Sequence, residues 1–90
     1  MYYIYILLSE KDRNLYVGFA KDLRSRIEKH NKGYVRATKH RRPLHFLYYE
    51  CYSDLVDAKK REKYLKGGKG RAELKIQLCE TLLKNHYKHL

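Results

Sequence analysis

Hydrophobic and polar positions alternate with two different periods along this chain, and the change of period marks the elements. Over Tyr2 to Leu8, Ile4, Ile6 and Leu8 fall on one side and Tyr3, Tyr5 and Leu7 on the other, the period of two that a strand imposes. Ser9 to Asn14 is a polar turn whose length suits a hairpin. Beyond it Leu15, Val17 and Phe19 alternate with Tyr16 and Gly18, and this apolar, aromatic and β-branched content predicts a second strand. If the aliphatic sets of both strands face the core, Tyr5 and Tyr16 land together on the opposite face; a one-residue bulge would defeat that parity. Gly18 within a strand predicts a bend or a close approach by another group.

The spacing then lengthens. A helix is expected from about Lys21 to Asn31, with Asp22 placed to cap it and Gly33 to stop it. Leu23 and Ile27 lie four apart and face a core, while Arg26 and His30, also four apart, share a neighbouring stripe. Tyr34 to Pro43 has no hydrophobic period and reads as a basic loop; no acid occurs between Glu28 and Glu50. Leu44 to Tyr52 reads as a third, aromatic-rich strand. Ser53 or Asp54 then caps a second helix through about Lys66, ended by Gly67-Gly68. A third helix is expected from about Arg71 to Lys84, with Leu74, Leu78 and Leu82 four apart. The order is strand, strand, helix, strand, helix, helix.

Ninety residues make one small domain, 1–90, and a hydrophobic fraction of 43% suffices for one core but not two. Lys and Arg number 21 against 10 Asp and Glu, a formal charge of +11, which points to a polyanionic partner, nucleic acid or an acidic membrane. No apolar run approaches the ~20 residues that span a bilayer. The opening MYYIYILL has neither a basic leader nor a small-residue cleavage site, so no signal peptide is read. Cys51 and Cys79 lack metal-ligand spacing and read as two reduced thiols of a protein expected in the cytoplasm.

The sharpest anomaly is Glu62. The apolar stripe of the second helix, Leu55, Ala58 and Leu65, takes in this carboxylate, whereas the neighbouring polar residues are mostly basic. An inward acid calls for a positive partner, either a metal ion or an internal arginine, and spacing does not choose between them. If Tyr5, Tyr16, Arg26, His30 and Glu62 converge, the set suits phosphodiester hydrolysis. Mg²⁺ takes one or two carboxylates and completes its shell with water and phosphate oxygens, so Glu62 alone is a sufficient protein ligand. Arg26 would hold the phosphate as charge builds on it. A tyrosine could orient the attacking water and accept its proton, with His30 orienting, relaying a proton or contacting phosphate. Each residue also has a duller reading: with 10 tyrosines most must only pack, Arg26 and His30 alone could be a solvated face, and the basic loop a solubilising run.

Taken together, the chain resembles the GIY-YIG endonuclease family, in particular its small stand-alone members. Tyr3-Ile4-Tyr5 sits at the first tripeptide, Tyr16-Val17-Gly18 at the second, and Arg26 ten positions after Tyr16. Ala37-Thr38-Lys39-His40-Arg41-Arg42-Pro43-Leu44 with Tyr48-Tyr49-Glu50, and Arg61-Glu62-Lys63-Tyr64-Leu65-Lys66, look like its later segments. The resemblance implies an α+β fold, a small three-stranded antiparallel sheet flanked by helices. It also implies an endonuclease dependent on Mg²⁺ or Mn²⁺ that cuts nucleic acid, usually DNA. Tyr5, Tyr16, Arg26, His30 and Glu62 take the catalytic roles position by position, with Glu62 as metal ligand; Tyr5 and Tyr16 both stand as candidate bases, with preference for Tyr5. Lys21, Lys32, Arg36, Lys39, Arg41 and Arg42 are the candidate nucleic-acid contacts. Tyr3 departs from the glycine of the first tripeptide, and Phe19 from the lysine or hydroxyl residue of some members; Asn85 is given no role. The competing readings are a non-cutting DNA- or RNA-binding module and a basic component of a ribonucleoprotein. With one domain making every contact, weak sequence preference or recognition of single-stranded or structured DNA is expected, with no membrane and no obligate protein partner.

Overall fold

The fold is taken from a computed structural model, which describes residues 1–87. Strands β1 (Tyr2–Ser9), β2 (Leu15–Ala20) and β3 (Leu44–Tyr52) form an antiparallel sheet in the order β2-β1-β3. The first strand is therefore central, and every residue from Ile4 to Ser9 is buried. Its near-continuous apolar run reflects cover on both faces.

One face carries Ile4, Ile6, Leu8, Leu15 and Val17, packed under Ala58, Leu65, Leu74, Leu78 and Leu82 from the later helices. On the other, Tyr5, Leu7 and Ala20 are covered by Leu23, Ile27, Tyr16 and Leu44. Composition suggested a single core; the sheet instead divides it, and the second cluster is small because one helix of nine residues covers that face. The β1–β2 ladder runs unbroken, with Tyr5 opposite Gly18 and Leu7 opposite Tyr16, so Tyr5 and Tyr16 do share a face. A bulge does occur, but on the β3 side: Ile6 pairs with Tyr48 and Leu7 with Phe46, leaving Leu47 as the extra residue.

Helix α1 (Leu23–Asn31) begins two residues later than its pattern suggests. Asp22 has extended backbone, and its carboxylate accepts the Ser25 N–H at 3.1 Å, so it is the cap rather than part of the first turn. Asp54, not Ser53, caps α2 (Leu55–Lys66), accepting from the Val56 N–H at 2.8 Å. The expected third helix is in fact two, α3 (Gly68–Gln77) and α4 (Cys79–Lys84), so the order gains an element: β-β-α-β-α-α-α. The backbone leaves helical geometry at Leu78, and Leu74, Leu78 and Leu82 all stay buried across the break. α3 follows α2 with only Gly67 between them. A Cβ on Gly70 would lie 2.0 Å from the Tyr64 carbonyl oxygen, so the two helices meet backbone to backbone.

Glu50 on β3 pins α2 to the sheet. Its carboxylate accepts from the Tyr48 and Tyr52 hydroxyls at 2.7 and 2.8 Å and from Arg61 Nε and NH2 at 2.9 and 3.1 Å. Arg61 is the neighbour of Glu62, so this staple also fixes where Glu62 points. No helix among the described residues is long and apolar enough to cross a membrane.

Candidate active site

Tyr5 is the centre of the site. It sits mid-strand on β1, fully buried, and its ring lies across β2 at Gly18. A Cβ at position 18 would come within 2.2 Å of Tyr5 Cζ, so the glycine of the second tripeptide is the space the phenol occupies. The Tyr5 Oη lies 2.6 Å from His30 Nε2, and His30 Nδ1 lies 2.7 Å from Thr38 Oγ1. His30 and Thr38 are both fully buried. Tyr16 completes the cluster edge-on to His30, with ring centroids 5.2 Å apart, and 6.3 Å from Tyr5.

Helix periodicity puts Arg26 one turn before His30 on the same side of α1. Its Nε is buried and has no hydrogen-bond partner among the described residues. Burial pushes the Tyr5 hydroxyl up to about 12, against the pull of the nearby Arg26 guanidinium. Burial, helped by the same guanidinium, pushes His30 down to about 4, so the imidazole is neutral at ordinary pH. A cavity of about 300 Å³ opens at Arg26, lined also by Phe19, Ala20, Lys21, Asp22 and Lys29.

Glu62 approaches from the other face. Its side chain is only 14% exposed, as its place on the apolar stripe implies. Among the described residues it pairs with Lys59 at 3.3 Å and Lys66 at 2.9 Å on its own helix, not with an arginine. Burial pushes its carboxyl up, and the two ammonium groups outweigh that and hold it below the usual range. Lys59 also lies 3.8 Å over the Phe19 ring of β2, and the Glu62 charge is felt at Tyr5. Acid and phenol therefore flank one edge strand. Among the described residues no three His, Cys, Asp or Glu side chains gather to hold a metal. A divalent ion here would rest on Glu62 alone, displacing lysines whose side chains are about half exposed and free to swing away.

The other basic candidates divide. Lys21 lies beside Arg26 in the same cavity. Lys32, Arg36 and Lys39 are exposed or nearly so and make no ion pair among the described residues; Arg36 and Lys39 line a cavity of about 600 Å³ with Gly33, Tyr34 and His40. Arg41 is spoken for: it pairs with Asp12 and donates to the Asn14 carbonyl, tying the loop to the first hairpin. Arg42 packs over Gly33 and donates to the Lys39 carbonyl at 3.0 Å. Asn85 caps α4, and its amide donates to the Thr81 carbonyl. Thr38 is the site residue that the sequence reading missed. Val35 and Thr38 are the buried positions of that loop, three apart in a run of charge with no period to mark them.

A three-stranded α+β domain thus gathers, around an edge strand, a tyrosine pair, a histidine and an arginine whose Nε has no hydrogen-bond partner among the described residues. The chain belongs to the GIY-YIG family: the model of the GIY-YIG catalytic domain matches residues 1–77. That span holds every candidate catalytic residue, and the family indicates nuclease activity on nucleic acid. The UPF0213 proteins of Staphylococcus aureus strains Mu3, Mu50 and N315 are similar, each 44% identical over 66 residues, 72% of this chain and 79% of theirs. No solved structure matches.

Proposed function

We propose that the protein is a divalent-metal-dependent endonuclease that hydrolyses phosphodiester bonds in DNA. The observation that carries this reading is Arg26: a partly buried guanidinium, its Nε without a hydrogen-bond partner among the described residues, beside a buried tyrosine–histidine pair. Phosphate is the anion that would complete it. Arg26 holds the non-bridging oxygens and stabilises the charge that builds on them. A water beside Tyr5 attacks phosphorus; its proton passes to the Tyr5 oxygen as the Tyr5 proton moves to His30 Nε2. The departing alkoxide takes a proton from solvent, and the proton on His30 Nε2 returns through Tyr5 to solvent as product leaves. The 2.6 Å Tyr5–His30 contact supports Tyr5 as acceptor over Tyr16, which orients the water and walls off the imidazole. Glu62 would hold Mg²⁺ or Mn²⁺, which when bound polarises the phosphate and stabilises the departing oxygen.

The second reading, a DNA- or RNA-binding module that does not cut, is favoured by one observation: two lysines satisfy Glu62 without a metal. Purified protein incubated with single-stranded, duplex, flap and junction DNA and with RNA, each with and without Mg²⁺ or Mn²⁺, separates the two. Cleavage should require the ion and stop with EDTA. Arg26→Ala and Glu62→Ala should each lower it at least ~100-fold while leaving the circular dichroism spectrum unchanged. Cutting that survives EDTA and both substitutions overturns the proposal; binding without cutting favours the module.

A further inference from the structure

We infer that Thr38 is a positioning residue that fixes His30 in its Nδ1-protonated form and leaves Nε2 open to the Tyr5 proton. The inference follows from which groups can donate. Tyr5 lies between Arg26, which has donors only, and His30 Nε2 at 2.6 Å. The Tyr5 hydroxyl proton finds no acceptor at Arg26, so it is directed to Nε2. A neutral imidazole has one donor and one acceptor nitrogen. With Nε2 accepting, the ring proton sits on Nδ1 and is donated to Thr38 Oγ1 at 2.7 Å. The reverse arrangement, Thr38 donating to Nδ1 and Nε2–H donating to Tyr5, would leave the phenolic proton facing a guanidinium.

The surroundings hold this state. Tyr5 and Tyr16 meet the imidazole edge-on, at 5.5 and 5.2 Å between centroids, and His30 is fully buried, with its two nitrogens facing Tyr5 and Thr38. Thr38 is delivered by a turn rather than a loose tip: its N–H donates to the Val35 carbonyl at 3.1 Å, and its carbonyl accepts from the Arg41 N–H at 2.9 Å. The hydroxyl thus enters the site from the basic loop while the imidazole comes from α1. Thr38 is fully buried, and it acts through His30. Its effect on cleavage rests on the proposed nuclease reading, whereas the position of the ring proton does not.

The test reads the proton directly. Long-range ¹H–¹⁵N correlation on labelled full-length protein at neutral pH, with the His30 signals assigned by their loss in His30→Gln, should give a protonated Nδ1 and a bare Nε2. Thr38→Ser should keep that pattern and Thr38→Val should lose it. A protonated Nε2 in the unmodified protein overturns the inference, as does an unchanged pattern in Thr38→Val; if Thr38→Val fails to fold, the unmodified protein and Thr38→Ser still decide. With cleavage established, Thr38→Val should lower kcat about tenfold or more with little change in KM, and Thr38→Ser should restore it. If no cleavage is found under any condition, the nuclease reading falls and the proton assignment still stands on the spectra.

Discussion

At the scale of single residues the site is a buried polar chain, and its protonation states follow from burial more than from any one partner. His30 shows this best. Its folded pKa is about 4 and its unfolded value about 6.5, so between them the unfolded chain binds a proton that the folded one refuses. Stability from this group is therefore complete above pH ~6.5 and lost as pH falls toward ~4, an effect of roughly 3 kcal/mol. Urea denaturation across that window should show a steeper fall for the unmodified protein than for His30→Gln, which has no ring to protonate; equal slopes would mean His30 charges in place. Tyr5, Tyr16, Arg26 and Thr38 face that ring, and none is an acid able to hold it charged. Gly18 is the other decisive residue. Gly18→Ala places a methyl group 2.2 Å from Tyr5 Cζ, so the phenol or the edge strand must move. The expected result is about 1–3 kcal/mol lost in thermal or urea denaturation, together with a fall in cleavage larger than that loss explains.

At the scale of elements, the two glycine-rich junction positions differ sharply. Gly70 lies where α3 touches the last turn of α2, and a Cβ there meets the Tyr64 oxygen at 2.0 Å and Leu65 Cα at 2.6 Å. Gly68 has nothing within 4 Å. Gly70→Ala should therefore cost at least ~1–3 kcal/mol, whereas Gly68→Ala should be neutral or raise the melting temperature by reducing the freedom of the unfolded chain. The same contrast shows what a one-dimensional pattern conveys. Three strands, the shared face of Tyr5 and Tyr16, and the inward turn of Glu62 were legible because each depends on local period. Even the lysines that answer Glu62 sit at spacings of three and four along its own helix. The break at Leu78 was not legible, since Leu74, Leu78 and Leu82 have the same spacing in one helix or two. Nor was the bulge at Leu47, which no glycine or proline announces. Thr38 and Arg41 escaped for another reason: their partners, His30 and Asp12, are brought to them only by the closed fold.

At the scale of the whole molecule, the charge of +11 does not act uniformly. Some cations are already neutralised: Arg61 by Glu50 and Glu73, Lys59 and Lys66 by Glu62, and Arg41 by Asp12. Lys21, Lys32, Arg36 and Lys39 carry no such partner among the described residues. They belong to the rim of α1 and the loop after it, the part of the molecule that also supplies Arg26, His30 and Thr38. A nucleic acid strand drawn to that rim would bring its phosphates toward the site. The measurable consequence lies in the salt dependence of binding, because each phosphate contact releases counterions and steepens the slope of log K against log salt by roughly 0.7–0.9. Arg36→Ala combined with Lys39→Ala should flatten that slope by about 1–2 and weaken binding to all sequences alike. Arg41→Ala should leave the slope nearly unchanged and instead lower stability by up to about 1 kcal/mol, the usual worth of an exposed pair, because its guanidinium holds the loop to the hairpin. A slope that responds to Arg41 and ignores Arg36 and Lys39 would place the strand across the hairpin end of the sheet, away from Arg26.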